Sequence, residues 1–177
     1  ILITYHPETV DTKNNKKNLE NLLKVLIKLN NVNLFFTYPN SDPESVYIID
    51  KLNQFKKNNK NCSIFIFKTL GRSRYLSLMK YSDLVIGNSS SGVLEAPLMN
   101  KISVNIGKRQ EGRIKLPSVI DCEPSYFKIN RLVRSIMNGK YKIDNKYSFS
   151  KSPAKAIVEK LKKIEIPKNI KKSFFQV

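Results

Sequence analysis

Short, largely apolar runs alternate with amphipathic stretches from residue 1 to about residue 137, and this alternation narrows the available folds more than any other feature of the chain. The apolar runs are residues 1–5, 32–37, 63–67, 83–86, 102–106 and 119–120. Each reads as a β-strand, and none shows the in–out alternation of a sheet with one wet face. Leu19, Leu22, Leu23, Leu26 and Ile27 follow the i, i+3, i+4, i+7, i+8 spacing of a helix with one buried stripe. A second helix is predicted to run from Pro43, placed in its first turn, to about Lys57, with Val46, Ile49 and Leu52 on one side. Further helices are predicted over 74–81, 91–99, 124–137 and 153–164. Strands buried on both faces by crossover helices have this character, so the pattern predicts an α/β fold with a doubly wound parallel sheet of about six strands. No internal repeat interrupts it.

With 177 residues, 41% of them hydrophobic, the chain can bury a core. No apolar run approaches the roughly 18 to 20 residues that a membrane span needs. The chain opens with Ile1-Leu2-Ile3, without Met or a basic leader, so no secretory signal is visible. An opening inside an apolar strand reads as a piece of something longer. Cys62 and Cys122 match no metal or redox spacing and read as two reduced, partly buried thiols. The net charge of +18 invites a nucleic-acid reading. The surplus is mostly Lys, however, and it is spread along the chain among Asn and Ile, as an AT-rich genome would bias any solvated surface. Residues 166–177 read as a basic tail.

In a sheet of this kind ligands bind beyond the carboxyl ends of the strands, so the strand-to-helix junctions carry the chemistry. Tyr5-His6-Pro7-Glu8 follows the first strand and holds the only histidine. Tyr38-Pro39-Asn40-Ser41-Asp42 follows the second, and Thr69-Leu70-Gly71-Arg72 the third. The fourth junction, from Gly87 to Glu95, is the most informative. Its small residues let a ligand approach the backbone, and the helix start behind it offers free N–H groups and a partial positive charge to phosphate. Glu95, about one turn inside, can accept ribose hydroxyls, or it can merely complement the helix dipole while the serines cap the helix. The fifth junction carries Arg109 and Arg113, which can clamp a diphosphate or form a solvated basic loop.

Taken together, these motifs resemble a known family. Gly-Asn-Ser-Ser-Ser-Gly-Val-Leu-Glu-Ala-Pro at 87–97 and Val-Asn-Ile-Gly-Lys-Arg-Gln-Glu-Gly-Arg at 104–113 are similar to the hydrolysing UDP-N-acetylglucosamine 2-epimerases of sialic-acid-type sugar biosynthesis. His6-Pro7-Glu8-Thr9, Pro39-Asn40-Ser41-Asp42 and Leu70-Gly71-Arg72-Ser73-Arg74-Tyr75 match further motifs of that family in its order, so the likeness covers about residues 1–138. The resemblance implies a Rossmann-like domain, residues 1–165, forming the C-terminal half of a two-domain GT-B fold. The N-terminal half would be its partner within one cytoplasmic, homo-oligomeric enzyme.

By the same resemblance, Ser89 and Ser90 contact phosphate, Glu95 the ribose, Arg109 the diphosphate and Leu70 the uracil. Asn40 helps close the pocket, His6 binds or catalyses beside the diphosphate and sugar, and Ser91 and Arg113 are further binding residues. The implied reaction removes the C2 proton and expels UDP to leave a 2-acetamidoglucal, to which water adds. Arg109, the helix start at 89–92 and a protonated His6 would stabilise the leaving diphosphate. The acid and base carboxylates belong to the other half, and no metal or organic cofactor is implied. Other readings stay open: a 2,4-diacetamido sugar on UDP or GDP, a GT-B glycosyltransferase domain, or a basic nucleic-acid-binding module. The last needs aromatics interleaved with surface cations, whereas Phe35, Phe36, Phe65 and Phe67 fall inside predicted strands.

Overall fold

In the computed structural model, which describes residues 1–8, 14–60, 62–141, 143 and 152–165, the six apolar runs form a single sheet. The strands are β1 (Leu2–Thr4), β2 (Asn33–Thr37), β3 (Ser63–Phe67), β4 (Val85–Gly87), β5 (Ser103–Ile106) and β6 (Val119–Cys122). All neighbours are parallel, in the order β3-β2-β1-β4-β5-β6. The crossovers are α1 (Asn15–Leu26), α2 (Ser45–Asn58), α3 (Gly71–Tyr81) and α4 (Ser90–Leu98), and α5 (Tyr126–Met137) follows β6. This is the doubly wound Rossmann-like sheet that the alternation predicts.

The two faces are covered by different helices. Ile3, Phe36, Ile86, Val104 and Ile106 pack with Leu19, Leu22 and Leu26 of α1, Ile48 and Leu52 of α2, and Ile129 and Val133 of α5. On the other face Leu2 and Val85 meet Met79 of α3 and Ala96 of α4. Complete burial of both faces holds only for the middle strands β1, β4 and β5. β3 is an edge strand, and its Phe65 remains 42% exposed, stacked on Phe35 at 4.9 Å between ring centroids. Phe35 and Phe65 lie within strands, as expected, and their pair reaches the surface at this edge.

Three boundaries differ from expectation, each for a local backbone reason. Glu44, at the N-cap of α2, has a left-handed φ of 67°, so Pro43 stands outside the helix rather than in its first turn. The helix consequently buries Ile48 and Leu52 and leaves Val46 69% exposed. α3 begins at Gly71 instead of Arg74, because Gly71 takes a φ of 67° that turns the chain early. α5 is capped by the Ser125 side chain, with Pro124 ahead of it.

Both cysteines are free, Cys122 buried and Cys62 half-buried. Residues Ile1–Asn145 form one compact unit and Lys146–Val177 another. Within the second, α6 (Pro153–Lys163) carries Pro at its first turn and brings Ile157, Val158 and Leu161 to one side. The expected basic tail, 166–177, lies outside the described residues.

Candidate functional site

The order β3-β2-β1-β4-β5-β6 reverses its winding direction between β1 and β4, which is where sheets of this class open a crevice at their carboxyl edge. Gly87 makes the closure possible. It pairs with Thr4, has a φ of 143°, and a Cβ added there would lie 2.0 Å from the Thr4 carbonyl oxygen. Asn88, wholly buried, bridges the crevice next to it. Its Oδ1 accepts the His6 N–H at 2.7 Å and its Nδ2 donates to the His6 carbonyl at 2.8 Å. Its own carbonyl accepts Gln110 Nε2 at 2.9 Å and Arg109 Nη1 at 3.3 Å. Arg109 Nη2 stands 3.9 Å from Asp42 Oδ2, and the Asn40 N–H donates to His6 Nδ1 at 3.2 Å. The ends of β1, β2, β4 and β5 are thus tied into one polar cluster.

His6 is buried among these groups. A backbone N–H can only donate, so Nδ1 carries the lone pair and the ring proton sits on Nε2. Burial, reinforced by the Arg109 charge and partly opposed by Asp42, pushes the pKa down to about 4. The protonated His6 expected to stabilise a leaving group is therefore not the resting form at neutral pH; the neutral ring offers an Nε2–H donor. A folded pKa below the unfolded value of about 6.5 means that the unfolded chain takes up the proton first. The contribution to stability is whole above pH 6.5, is lost as pH falls towards 4, and is flat below. It amounts to about 3–4 kcal/mol at about 1.4 kcal/mol per pKa unit. Denaturant midpoints of wild type and His6→Gln, measured from pH 7.5 to 4, should converge over that window; parallel curves would show an ordinary histidine.

The phosphate-type loop forms at the start of α4. Ser89 is the N-cap, accepting the Ser91 N–H at 3.4 Å, and Ser90 is the first helical residue. Ser91 is the second helical residue. Its hydroxyl is turned to Tyr75 Oη at 2.6 Å and Ser89 Oγ at 3.0 Å, so its partners are protein groups. Glu95 lies on α4 with Oε2 buried and without a hydrogen-bond partner among the described residues. Leu70 caps α3 beyond β3, half-buried, and Arg113 is exposed, without a side-chain partner among the described residues.

Residue types alone do not single out Asn88, Gln110, Asp42 or Tyr75. Asn88 was visible only as a lone amide after a wholly apolar strand, and the others needed tertiary contacts. A cavity of about 730 Å³ lies elsewhere, past β5 and β6. The ion pairs Lys115–Asp121 and Lys128–Glu123 lie in its wall. No group of His, Cys, Asp and Glu among the described residues could hold a metal, and none of the described helices is long and apolar enough to cross a membrane.

Residues 1–162 match the family described as UDP-N-acetylglucosamine 2-epimerase. The chain belongs to that family. Among similar proteins, a Campylobacter jejuni GDP/UDP-N,N'-diacetylbacillosamine 2-epimerase (hydrolyzing) is 43% identical over 122 residues, which is 69% of this chain and 32% of the relative. A Legionella pneumophila UDP-N,N'-diacetylbacillosamine 2-epimerase (hydrolyzing) is 29% identical over 152 residues, 85% of this chain and 39% of the relative. The chain thus spans about a third of these relatives' length. The Methanocaldococcus jannaschii UDP-GlcNAc 2-epimerase, solved with UDP-GlcNAc and UDP, superposes with a TM-score of 0.66 at 20% identity, over 91% of this chain and 44% of that structure. The likeness in fold is to one half of a GT-B-type epimerase of this family.

Proposed function

We propose that residues 1–165 form the nucleotide-diphosphate-binding part of a hydrolysing 2-epimerase acting on a UDP-linked 2-acetamido sugar. The observation that carries this reading is the Asn88 bridge, which draws His6, Arg109 and the Ser89 helix start to the crevice between β1 and β4. In this reading Ser89, Ser90 and the first N–H groups of α4 hold the phosphates. Arg109 neutralises the diphosphate. Glu95, whose buried Oε2 lacks a partner among the described residues, accepts the ribose hydroxyls, while Leu70 and Asn40 close the pocket over the base. Ser91 acts through Ser89, and Arg113 is a peripheral charge.

The chemistry follows from charge. A base takes the C2 proton, the C1–O bond breaks, and its electron pair leaves on the diphosphate as C1=C2 forms. Water then adds across that bond, placing hydroxyl at C1 and a proton on the opposite face of C2, which frees the 2-epimer. Negative charge grows on the leaving diphosphate, opposite Arg109, the helix start and the Nε2–H of neutral His6. His6, with Nδ1 engaged by Asn40, serves here as a donor to phosphate and not as the C2 base. The acid and base would come from an N-terminal half of the same enzyme, which the 32% coverage of the Campylobacter jejuni relative accommodates.

Two sugars compete. UDP-N-acetylglucosamine fits the family description, and the 43% identity to a diacetylbacillosamine enzyme favours a 2,4-diacetamido sugar equally. The test is release of nucleoside diphosphate by the full-length protein from UDP-N-acetylglucosamine and from UDP-N,N'-diacetylbacillosamine. Turnover of one, with a free 2-epimerised sugar as product, is expected. Release of sugar with C2 unchanged would replace this reading with simple hydrolysis, and transfer to an acceptor with a glycosyltransferase.

A further inference from the structure

Five hydroxyls run in line from the sheet to the start of α4. Thr37 Oγ1 lies 2.6 Å from Thr4 Oγ1, which lies 3.3 Å from Tyr75 Oη. Tyr75 Oη lies 2.6 Å from Ser91 Oγ, which donates to Ser89 Oγ at 3.0 Å. Four elements supply them: β2, β1, α3 and α4. Nothing in the proposed reaction requires Thr37, Thr4 or Tyr75.

We propose that this line is a hydroxyl relay that presets Ser89 as a donor to a phosphate oxygen, with Tyr75 as its central positioning residue. It rests on the proposed phosphate site at Ser89. Each hydroxyl has one proton to give, and that fixes the direction. Ser89 Oγ already receives the Ser91 N–H at 3.4 Å and the Ser91 hydroxyl at 3.0 Å, so its own proton is free for an anion. Ser91, having spent its proton on Ser89, must accept from Tyr75. Tyr75 must then accept from Thr4, and Thr4 from Thr37. An anion at Ser89 holds the whole line in this sense. Aligned hydroxyls polarise one another, so the last one donates more strongly than an isolated serine. Water does not break the line: the void among Thr4, Tyr75, Gly87, Ser89 and Ser91 is about 10 Å³, at the lower limit for a single molecule. Thr4 and Thr37 are buried. The relay also explains why Ser91 faces inward.

The competing account is that these hydroxyls merely satisfy one another and hold α3 against α4. Isothermal titration of the full-length protein with UDP, uridine and inorganic pyrophosphate separates the two. Tyr75→Phe keeps the ring and deletes one donor. It should weaken UDP and pyrophosphate by about 3- to 10-fold and leave uridine unchanged. Ser91→Ala should match it, Ser91→Thr should retain wild-type affinity, and Tyr75→Phe with Ser91→Ala together should cost no more than either alone, because both cut one line. Equal losses for UDP and uridine in Tyr75→Phe, or additive losses in the double variant, would overturn the relay. If wild type binds pyrophosphate but not UDP, and Tyr75→Phe weakens that binding, the relay stands and the nucleotide-sugar reading falls. Binding of neither ligand by wild type would remove both.

Discussion

Gly87→Ala should leave little folded protein at 37 °C. The added Cβ would sit 2.0 Å from the Thr4 carbonyl oxygen, 2.8 Å from its carbon and 3.3 Å from its nitrogen. All three are backbone atoms of the neighbouring central strand, so no side chain can swing aside. The φ of 143° is itself strained for any residue with a Cβ. Relief would require β1 and β4 to part, breaking the Asn88 N–H bond to the Thr4 carbonyl at 3.2 Å and pulling His6 from the Asn88 side chain. The cost should exceed about 4 kcal/mol, a large share of the 5–15 kcal/mol that holds a typical domain. Gly71→Ala is the control: its φ is 67°, but nothing lies within 4 Å of the added atom, so only about 1–2 kcal/mol of left-handed strain is expected. Urea unfolding of the two variants gives the comparison. Equal midpoints would mean that the strands do not approach this closely.

Arg109→Ala should have the largest effect on ligand binding. Its two Nη atoms face Asn88 O and Asp42 Oδ2, so the guanidinium is already oriented across the crevice before a ligand arrives. Charge-assisted hydrogen bonds contribute about 1.5–3 kcal/mol each. Losing two to a diphosphate should therefore weaken UDP by at least about 100-fold, while uridine binds as before. Arg109→Lys should recover only part of this, because an ammonium cannot reproduce the planar fork. Calorimetry with UDP and uridine reads the difference. A similar loss for uridine would place Arg109 at the base or the ribose instead.

The sheet was legible because its signal is local. An apolar run such as Leu84-Val85-Ile86 after Asp83 needs no tertiary information to read as a buried strand, and all six strands lie within two residues of the expected places. The helix starts were less legible, since the left-handed turns at Glu44 and Gly71 leave no mark in hydrophobic spacing. Of the candidate site, the positions after the strand ends could be read from the order of motifs. Which neighbours hold them in place could not. Asn88 meets His6 across 82 residues of chain, and Tyr75 meets Thr4 across 71. The neutral state of His6 was equally hidden, because it depends on burial and on the Arg109 charge beside the ring, both set by the tertiary fold.

The position of β1 in the middle of the sheet has a consequence for how the chain acquires its structure. β1 finds one neighbour early, with Leu2 paired to Phe35, and the other late, with Leu2 paired to Val85. During synthesis at about 5–20 residues per second, that second neighbour follows the first by about 2.5–10 s. Until it arrives, the central strand is an open edge able to recruit β4 or β5 from another nascent chain. Pairings this remote in sequence also form slowly during refolding. The crevice sits on that same late seam, so ligand-binding competence should be among the last properties to return when the denatured chain refolds.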